Sequence, residues 1–367
     1  TDGNYYNVSY DNDVNCILTS DTIAVQLNTS PSFTLTSSSG LDLTGSTTTS
    51  TLSLPGAPST STYLWSDAST NSTLAITGQG TYSVTVTDQG CSVTDSLTLY
   101  EPWFVSKAGN NTTGNGSSTS PYKTIQKAID VASSGDKIYV LPGTYEEGEL
   151  DFETSANSGV YKNLYIASDF VRLSAQSAIA GTKIDADGQG NLIKIEGSNS
   201  SIFDGFTFTG QTTGGDWNHS VFRLTNGANI KVQNSIVEGN TYSNDANCHF
   251  MYVGSSSPIF TNVTIDGHGS SSGSARGIVR AYGSALTFTN VIWKNNYSWN
   301  YGTIYLQNTT AYISNNLFLD NSTSRSDIGL IQFEGNSTAT IINSTLANNL
   351  DATYPYLIAF SGNNNAA

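Results

Sequence analysis

The sequence has few charged residues, few cysteines and no long apolar run. Of its 367 residues only 12% are charged, with 29 Asp and Glu against 14 Lys and Arg, whereas a typical soluble domain has about a quarter. The formal net charge of −15 leaves no basic surface for a phosphate backbone, which excludes nucleic acid as a partner. The apolar runs are only a few residues long, so no membrane insertion is expected.

Cysteine and methionine are also scarce, with three Cys and one Met. Cys16, Cys91 and Cys248 lie too far apart in sequence for a metal-site spacing and cannot all pair within the chain, so no disulfide framework is expected. The polarity comes instead from 97 Ser and Thr, 36 Asn and 34 Gly. A surface that is rich in hydroxyls and poor in lysine suits the outside of the cell, which predicts an extracellular or cell-surface location.

Residues that favour β-strands dominate the rest of the composition. Thr, Val, Ile, Tyr and Phe are plentiful, while the strong helix formers Ala, Leu, Glu, Lys, Arg and Met are scarce. Apolar residues make up 37% of the chain and include 20 Tyr and 14 Phe, which is too many for a disordered, hydroxyl-rich chain. The composition therefore predicts an all-β protein with a polar, uncharged surface.

One hairpin pattern occurs twice in the first hundred residues. Residues 78–100 contain two alternating apolar runs around an Asp-Gln-Gly turn, and residues 3–27 carry the same pattern about 75 residues earlier. Short strand-like runs separated by Gly, Pro and Ser turns precede the second copy, with Trp65 near their centre. This spacing of short strands predicts a small β-sandwich over residues 29–101.

The segment YLWSDASTNSTLAITGQGTYSVTVTDQGC resembles the immunoglobulin-like (PKD-like) repeats of bacterial surface proteins, which implies an Ig-like sandwich. Those repeats often pair the Cys after this strand with a Cys near the domain start. Residues 29–60 contain none, so Cys91 is expected to stay reduced. Residues 1–28 are then either the C-terminal hairpin of an incomplete Ig-like repeat or donor strands for a neighbouring subunit. The second alternative makes the protein a filament subunit, with copies of itself or other surface proteins as partners.

From residue 102 the pattern changes to that of a capped solenoid. A strand and a Gly/Asn/Ser loop lead into a helix predicted over Tyr122–Ser133, where Ile125 and Ile129 share one face. This block resembles the N-terminal cap of the pectin lyase-like right-handed parallel β-helix superfamily, in which a short amphipathic helix covers the open end of the coil. The resemblance implies a cap over residues 102–145 and coils over residues 146–367.

A repeat of about 28 residues follows. Each copy has one Asp or Asn and one apolar pair before a turn residue, usually Gly. Alternation points the pairs inward, and stacked amides hydrogen-bond from coil to coil, so we expect about eight coils, an asparagine ladder and an open C-terminal end. The ladder positions are Asp204, Asn234, Asn262, Asn290, Asn315 and Asn343, and the pairs are Phe250/Tyr252, Val279/Ala281, Ile304/Leu306, Ile331/Phe333 and Ile358/Phe360.

A candidate catalytic group lies at the Asp-Gly-His-Gly of residues 266–269. It resembles the Gly-His-Gly of polygalacturonase-type hydrolases, which implies Asp266, His268 and Arg280 as catalytic residues if the protein is an enzyme. The Asp-Asp pair and the Arg-Ile-Lys that accompany the motif in that family are missing, so the paired carboxylates of glycoside hydrolysis are unsupported and a turn between coils is the other interpretation. A lyase that acts on acidic glycans, with Arg280 and Arg223 as cations, is the alternative enzyme class.

Residues 185–196 match part of an EF-hand loop. Asp185, Asp187 and Glu196 occupy ligand positions and are the candidates for binding Ca²⁺. Both flanks alternate as strands and no helix enters or leaves the segment, which favours a polar turn between coils. No other cofactor is expected.

Two further groups of residues are candidates for sugar chemistry. Trp293, Tyr297, Trp299 and Tyr301 fall in one inter-coil segment, where exposed rings either stack on sugars and partners or fold down over the coil. Asn-x-Ser/Thr sequons exceed the number expected by chance only modestly, so glycosylation is permitted and not required. The candidate acceptors are Asn111, Asn262, Asn308, Asn321 and Asn336.

These patterns together predict an Ig-like β-sandwich followed by a right-handed parallel β-helix with an N-terminal capping helix. The favoured function is that of an extracellular structural or adhesive surface protein, and a filament joined by β-strand complementation is one form of it. The alternative is a polysaccharide-active β-helix enzyme, a lyase or hydrolase of acidic glycans, or a carbohydrate-binding module. Glycans are therefore a candidate ligand class, and catalysis is the less favoured reading.

Overall fold

The computed structural model divides the chain into two units, Thr1–Glu101 and Pro102–Ala367. It describes residues 28–38, 50–76, 80–99, 101–155, 158–173, 176–188, 190–211, 220–240, 249–269, 277–298, 301–323, 329–349 and 358–361, together with four short strands before residue 28. None of the described helices is long and apolar enough to span a membrane.

The first unit consists of short antiparallel strands. β1 pairs with β4 and β2 pairs with β3, all within residues 1–28. Beyond residue 28, one sheet has the order β5-β6-β8 and the other the order β10-β9-β7. The strands are β1 (Asn4–Tyr6), β2 (Ser9–Tyr10), β3 (Leu18–Thr19), β4 (Ile23–Val25), β5 (Thr36–Ser37), β6 (Ser50–Ser53), β7 (Thr62–Trp65), β8 (Leu74–Ile76), β9 (Gly80–Asp88) and β10 (Cys91–Leu99).

One apolar core holds these two sheets together. Leu52, Trp65 and Val84 are among its buried side chains, and the Trp65 indole Nε1 donates to the carbonyl of Asn71 at 2.8 Å. The outer face of the β9–β10 hairpin carries hydroxyls that pair across the strands, as in Thr85–Thr94 at 2.8 Å. The predicted hairpin around the Asp-Gln-Gly turn is thus present, with Asp88 opposite Cys91.

The second unit is a solenoid of parallel strands, and its two main sheets have fifteen and seven strands. The strands up to residue 209 are β11 (Trp103–Val105), β12 (Lys137–Val140), β13 (Gly143–Glu146), β14 (Tyr165–Ser168), β15 (Thr182–Asp185), β16 (Ile193–Ile195), β17 (Ile202–Asp204) and β18 (Thr207–Thr209), and the helices are α1 (Ile125–Val131), α2 (Phe170–Leu173) and α3 (Gln176–Gly181). The later strands are β19 (Ser220–Thr225), β20 (Lys231–Glu238), β21 (His249–Gly254), β22 (Ile259–Asp266), β23 (Val279–Tyr282), β24 (Ala285–Thr289), β25 (Ile292–Lys294), β26 (Tyr297–Ser298), β27 (Ile304–Gln307), β28 (Thr310–Ser314), β29 (Leu317–Leu319), β30 (Ser322–Thr323), β31 (Ile331–Glu334), β32 (Thr338–Ile342), β33 (Thr345–Ala347) and β34 (Ile358–Ser361).

The prediction of an all-β chain with a right-handed parallel β-helix is confirmed. The seven-stranded sheet has the order β16-β19-β21-β23-β27-β31-β34 and spans about six turns, fewer than the eight coils that the sequence predicts. Because every strand of this sheet pairs in parallel with the same position one turn later, its side chains form continuous rows along the solenoid.

The predicted inward pairs hold for β23, β27 and β31, and the pair of β21 needs correction. Ile358 and Phe360 of β34 continue the register of β31, but they are 41% and 54% exposed on the last described strand. Val279 and Ala281 face inward as expected, but they pair with Met251 and Val253, not with Phe250 and Tyr252. The reason is that the turn residue with positive φ is Ser255 (φ 50°), one position beyond the glycine used for the alignment. A shift of one residue moves every side chain of a strand to the opposite face.

Helix α1 lies at the first strand of the fifteen-stranded sheet and is shorter than its sequence prediction. Thr124 caps its N-terminus by accepting from Lys127 N at 3.2 Å, and Ile125 and Ile129 are buried in the solenoid core. The Glu147 carboxylate accepts from Ile125 N at 2.6 Å, and the Lys162 ammonium donates to the Ile129 carbonyl at 2.7 Å. Burial outweighs the hydrogen bonds that the Glu147 carboxylate accepts from the helix backbone, and it raises the pKa of Glu147 above its ordinary value.

Two amide ladders run along the solenoid. The outer ladder joins Asp204, Asn234, Asn262 and Asn290, with amide-to-oxygen distances of 2.8, 3.0 and 3.0 Å. Its asparagines have φ between 49° and 56°, a left-handed conformation that Asn adopts more readily than most residues. The inner ladder is buried and consists of Gln211, Asn240, His268, Asn296, Asn321 and Asn349.

Candidate functional site

The outer face of the seven-stranded sheet carries a continuous group of arginine and tyrosine side chains. Arg223, Tyr252, Arg280 and Tyr305 occupy the same position on successive strands, because each pairs with the next in register. They alternate with core residues such as Phe222 and therefore point outward. We call the following set the aromatic–arginine face: Arg223, Tyr252, Arg280, Tyr282, Tyr301 and Tyr305.

The rings of this face are in contact with one another. The centroids of Tyr252 and Tyr282 are 5.8 Å apart, those of Tyr282 and Tyr305 are 6.0 Å apart, and those of Tyr301 and Tyr305 are 4.6 Å apart. The last two pairs meet edge to face, which is a favourable geometry for aromatic rings. Contacts of this kind fix the orientation of the face before any ligand arrives.

Arg280 lies at the centre of the face. Its guanidinium carbon is 4.8 Å from the Tyr301 ring centroid, 5.1 Å from that of Tyr282 and 5.8 Å from that of Tyr305. These distances fall within the range of cation–π attraction. None of the ion pairs among the described residues involves Arg280, and its Nε is buried there with no hydrogen-bond partner.

Arg223 is in a different electrostatic position. Its Nε is 2.9 Å from the Glu196 carboxylate, which Lys194 also approaches at 3.5 Å. These two cations lower the pKa of Glu196, although burial acts in the opposite direction. The charge of Arg223 is thus largely used within the protein, which leaves Arg280 as the cation of this face that has capacity for an external anion.

Two tyrosines of the face, Tyr282 and Tyr305, keep their protons over the physiological pH range. Burial raises the pKa of Tyr282 to about 12, and the positive charge of Arg280 offsets part of the rise. Burial and the hydrogen bond that Tyr305 donates to Glu334 raise the pKa of Tyr305 further. Glu334 also accepts from Gln307 Nε2 at 3.2 Å, so its carboxylate is held beside the face by two donors.

Comparison with known proteins gives limited matches. A family described as "Protein of unknown function (DUF1565)" matches residues 107–151. No curated protein matches the chain. A solved structure titled "Rhamnogalacturonan lyase" is similar at 15% identity and a TM-score of 0.35, over 65% of this chain and 74% of that one.

The three residues proposed as catalytic lie in different settings. Asp266 is at the end of β22 in the fifteen-stranded sheet, where its carboxylate is 2.9 Å from the Lys294 ammonium and 2.8 Å from the Asn295 amide. These partners lower the pKa of Asp266 against the opposing effect of its burial. Arg280 belongs to the seven-stranded sheet, and His268 is buried in the core.

His268 occupies a position of the inner ladder. Its Nε2 lies 3.2 Å from the Val237 carbonyl, as the Asn296 amide lies 3.0 Å from the Ile265 carbonyl one turn later. Its ring packs on Phe250 with the centroids 5.6 Å apart. Burial lowers the pKa of His268 to about 4, so the imidazole is neutral at pH 7. These contacts give His268 a structural role.

The proposed calcium ligands are also separated by their contacts. Glu196 contacts Arg223 and Lys194, as described above, and Asp185 accepts from the backbone N of Asp187 at 2.8 Å within a turn. Asp187 has a φ of 48°, which is typical of a turn residue. No group of three or more metal-ligating side chains occurs in the described part of the chain.

The four aromatic candidates divide between the core and the surface. Trp293 is fully buried, stacks on Phe318 with the centroids 5.6 Å apart and donates to Asn316 Oδ1, because β25 points its middle residue inward. Tyr297 is partly exposed on β26, and Trp299 lies outside the described residues. Tyr301 belongs to the aromatic–arginine face. A ligand therefore has access to Tyr301 and not to Trp293.

Most of the candidate glycosylation acceptors take part in hydrogen bonds of the fold. Asn262 belongs to the outer ladder, and Asn321 is buried in the inner ladder. Asn111 accepts from Lys123 N at 2.8 Å, and Asn308 accepts from the backbone N of Asn336 at 3.0 Å. Asn336 is exposed, as are Asn262 and Asn308, whereas Asn321 is buried.

Sequence reasoning identified Arg280 and Tyr301 but not the face to which they belong. Tyr252 was missed because the inward pair was aligned one residue out of register at β21. The signal that reveals the face is a tyrosine directly beside an inward residue in each of β21, β23 and β27.

Proposed function

We propose that this protein is an extracellular surface protein whose solenoid binds acidic polysaccharide on the aromatic–arginine face. The observation that carries the proposal is Arg280, which is surrounded by three tyrosine rings and has no carboxylate partner among the described residues. A guanidinium recognises the carboxylate of a uronic acid by charge-assisted hydrogen bonds. Tyrosine rings supply flat apolar surfaces for sugar rings and hydroxyls for their polar edges.

The arrangement in rows suits an extended polymer. Successive strands of the sheet lie about 4.8 Å apart, so the partly exposed residues from Arg223 to Tyr301 offer contacts to several neighbouring sugars along the solenoid, while Tyr305 is buried behind them. The rigid contacts among the rings reduce the conformational entropy that binding has to overcome. Glycan binding of this kind corresponds to the adhesive role, one of the two roles that the sequence favours for a surface protein.

Binding to polygalacturonate, with its fully methyl-esterified form as a neutral comparison, tests the proposal. We expect Arg280→Ala to weaken the affinity for polygalacturonate at least tenfold, because the carboxylate of the bound uronic acid then loses the guanidinium that neutralises its charge. Arg280→Lys keeps the charge and loses the planar, stacked guanidinium, so it should restore only part of the affinity.

The matched control is Lys231→Ala, which removes one positive charge from the fifteen-stranded sheet. It should leave the affinity within twofold of the original. Equal weakening by Lys231→Ala and Arg280→Ala would attribute binding to overall charge and would overturn the proposal, as would equal affinity for the neutral polymer.

One contact keeps polysaccharide cleavage as a second candidate. Tyr305 and Glu334 form a hydrogen-bonded pair next to Arg280, and a lyase needs a proton acceptor near the cation that holds the uronate. The raised pKa of Tyr305 disfavours this tyrosine as the base. Absorbance of an unsaturated product during incubation with polygalacturonate, lost in Glu334→Gln, would assign lyase activity.

In the proposed function, the first unit holds the solenoid at the cell surface or joins it to further copies. Two antiparallel sheets around the Trp65 core support an Ig-like sandwich, and the burial of Ile125 and Ile129 of α1 beside β11 supports a cap over the first turn. The repeated hairpin supports association with further copies through residues 3–27. Light scattering of the full chain against a variant that lacks residues 3–27 tests this association: a filament subunit gives large species that the deletion abolishes.

A further inference from the structure

The inner ladder contains one histidine among its asparagines. Asn296, Asn321 and Asn349 each donate from Nδ2 to a carbonyl of the preceding turn, at 3.0, 2.8 and 2.8 Å. The Oδ1 of each also accepts from the backbone N of the ladder residue before it, at 3.1, 3.1 and 3.0 Å. An asparagine side chain therefore satisfies one donor and one acceptor at each step.

His268 reproduces only the first of these two contacts. Its Nε2–H donates to the Val237 carbonyl, and its backbone N donates to Asn296 Oδ1. Its Nδ1, which would have to act as the second acceptor, is buried with no hydrogen-bond partner. The ladder is thus interrupted at one defined atom, inside a residue that is 1% exposed.

Among the residues that the structure describes, the groups around His268 offer no second acceptor for a charged ring. Phe250 packs on it from β21, and β20 contributes the Val237 carbonyl and the nearby Glu238, which is paired with Lys183. On β22 the carboxylate of Asp266 favours the charged form, but it is bound to Lys294 of β25. The effect of burial is larger than that of Asp266, which is why the pKa of the imidazole falls below its ordinary value.

We propose that His268 is an acid-operated latch, which holds its turn of the solenoid closed while the imidazole is neutral and releases it when Nδ1 takes up a proton. The new N–H has no acceptor among the described residues of the closed core, whereas opening exposes it to water. Opening breaks two contacts between the turn of His268 and the next turn. These are the hydrogen bond from Tyr297 N to the His268 carbonyl and the close approach of Gly269 to the Tyr297 carbonyl.

The sign of the effect follows from linkage. The open form binds the proton with the ordinary pKa of 6.5 and the closed form with a pKa of about 4. The closed form is therefore fully favoured above pH 6.5, and this preference over the open form is lost as the pH falls from 6.5 to about 4. At pH 4.5 the opening equilibrium should rise by on the order of 50-fold relative to pH 7.5.

Hydrogen exchange read by mass spectrometry, corrected for the intrinsic effect of pH, tests the latch on the full chain. Peptides that cover residues 263–269 and 293–298 should lose on the order of 50-fold in protection between pH 7.5 and 4.5, while peptides of β28 and β32 stay protected. In His268→Asn, which supplies the missing amide acceptor, the first two peptides should keep their protection at both pH values.

An NMR titration of the native imidazole, assigned by its loss in the same variant, gives a second readout in which the pKa itself is measured on the unchanged protein. A native pKa of 6.5 or above, or an equal loss of protection in both proteins, would overturn the latch. Neither measurement uses a polysaccharide, so failure here is distinguishable from failure of the proposed binding function.

Discussion

The direction in which a side chain points decides the role of each residue of interest in this solenoid. Trp293 and Tyr301 lie eight positions apart in sequence and appear equivalent there. In the structure Trp293 points into the core and donates to Asn316, while Tyr301 lies against Arg280 on the outer face. Alternation along a strand separates the two roles, because neighbouring positions face opposite sides of the sheet.

Two buried threonines show the same dependence on position and give a testable pair. Thr303 is fully buried just before β27, and its hydroxyl has no hydrogen-bond partner among the described residues. We expect Thr303→Val to raise the free energy of unfolding by about 1 kcal/mol, because it removes a buried polar group that is unsatisfied. The midpoint of urea unfolding should rise with no change in slope.

Thr309 is the matched control, since it is equally buried but fully bonded. Its Oγ1 donates to the Gln307 carbonyl at 3.0 Å and accepts from Ser284 N at 3.3 Å. Thr309→Val should therefore lower the free energy of unfolding by about 1–2 kcal/mol. Changes of the same sign in both variants would contradict the assignment of the two hydroxyls.

At the scale of elements, the ladders couple one turn to the next. Asn321 illustrates the coupling, because its side chain bonds both neighbouring turns. Its Nδ2 donates to the Trp293 carbonyl and to Asn349 Oδ1, and its Oδ1 accepts from the backbone N and the amide of Asn296. A buried side chain with four such bonds leaves several polar groups unsatisfied when it is removed.

Replacement of this ladder residue should be costly. We expect Asn321→Ala to lower the free energy of unfolding by about 3 kcal/mol or more, since it leaves unpaired groups in the core. Asn336→Ala is the control, because Asn336 is an exposed sequon asparagine. This substitution should change the free energy of unfolding by less than about 0.5 kcal/mol. Thermal unfolding followed by circular dichroism measures both, and similar losses would contradict the ladder model.

The same pair bears on glycosylation. A glycan on Asn321 would have to replace the hydrogen of an amide that is already engaged in the core. Asn336 has an exposed side chain, so modification there is compatible with the fold. Sequons alone do not distinguish the two asparagines, because the distinction is one of burial.

At the scale of the whole molecule, net charge and local charge act in opposite directions on an acidic polymer. The formal net charge of −15 repels a polyuronate at long range, whereas Arg280 attracts it at short range. A rise in salt screens the long-range repulsion more than a contact between partly buried groups.

The proposed binding should therefore have an unusual salt dependence. We expect the association rate constant for polygalacturonate to rise between 20 and 200 mM NaCl, by roughly twofold or more. Surface-immobilised polymer and a kinetic binding assay measure the rate directly. A steep fall in association with salt, which is typical of binding by a basic surface, would contradict this account.

The fold was predictable from the sequence to the extent that it repeats. The apolar pairs at Val279/Ala281, Ile304/Leu306 and Ile331/Phe333 recur at nearly constant spacing, and they are indeed the inward residues of paired strands. The prediction failed by one residue at β21, where Ser255 takes the turn conformation that a glycine was expected to take. The sequence predicted about eight coils, and the described part of the solenoid has about six turns.

The candidate site was less predictable. Asp266, His268 and Arg280 resemble a catalytic motif in sequence, but pairing sends Asp266 and Arg280 to different sheets and places His268 in a ladder. Tyr252, Tyr282 and Tyr305 are far apart in sequence and meet only because each turn of the solenoid stacks on the next.

The sequence by itself determined the fold class, the repeat and the polar, weakly charged surface, because composition and alternation act locally along the chain. Only the tertiary structure decided which polar and aromatic residues support the coil and which lie on its outer face. The physical reason is register: stacking of turns brings residues about 28 positions apart into contact, and a one-residue shift in that register exchanges the core for the surface.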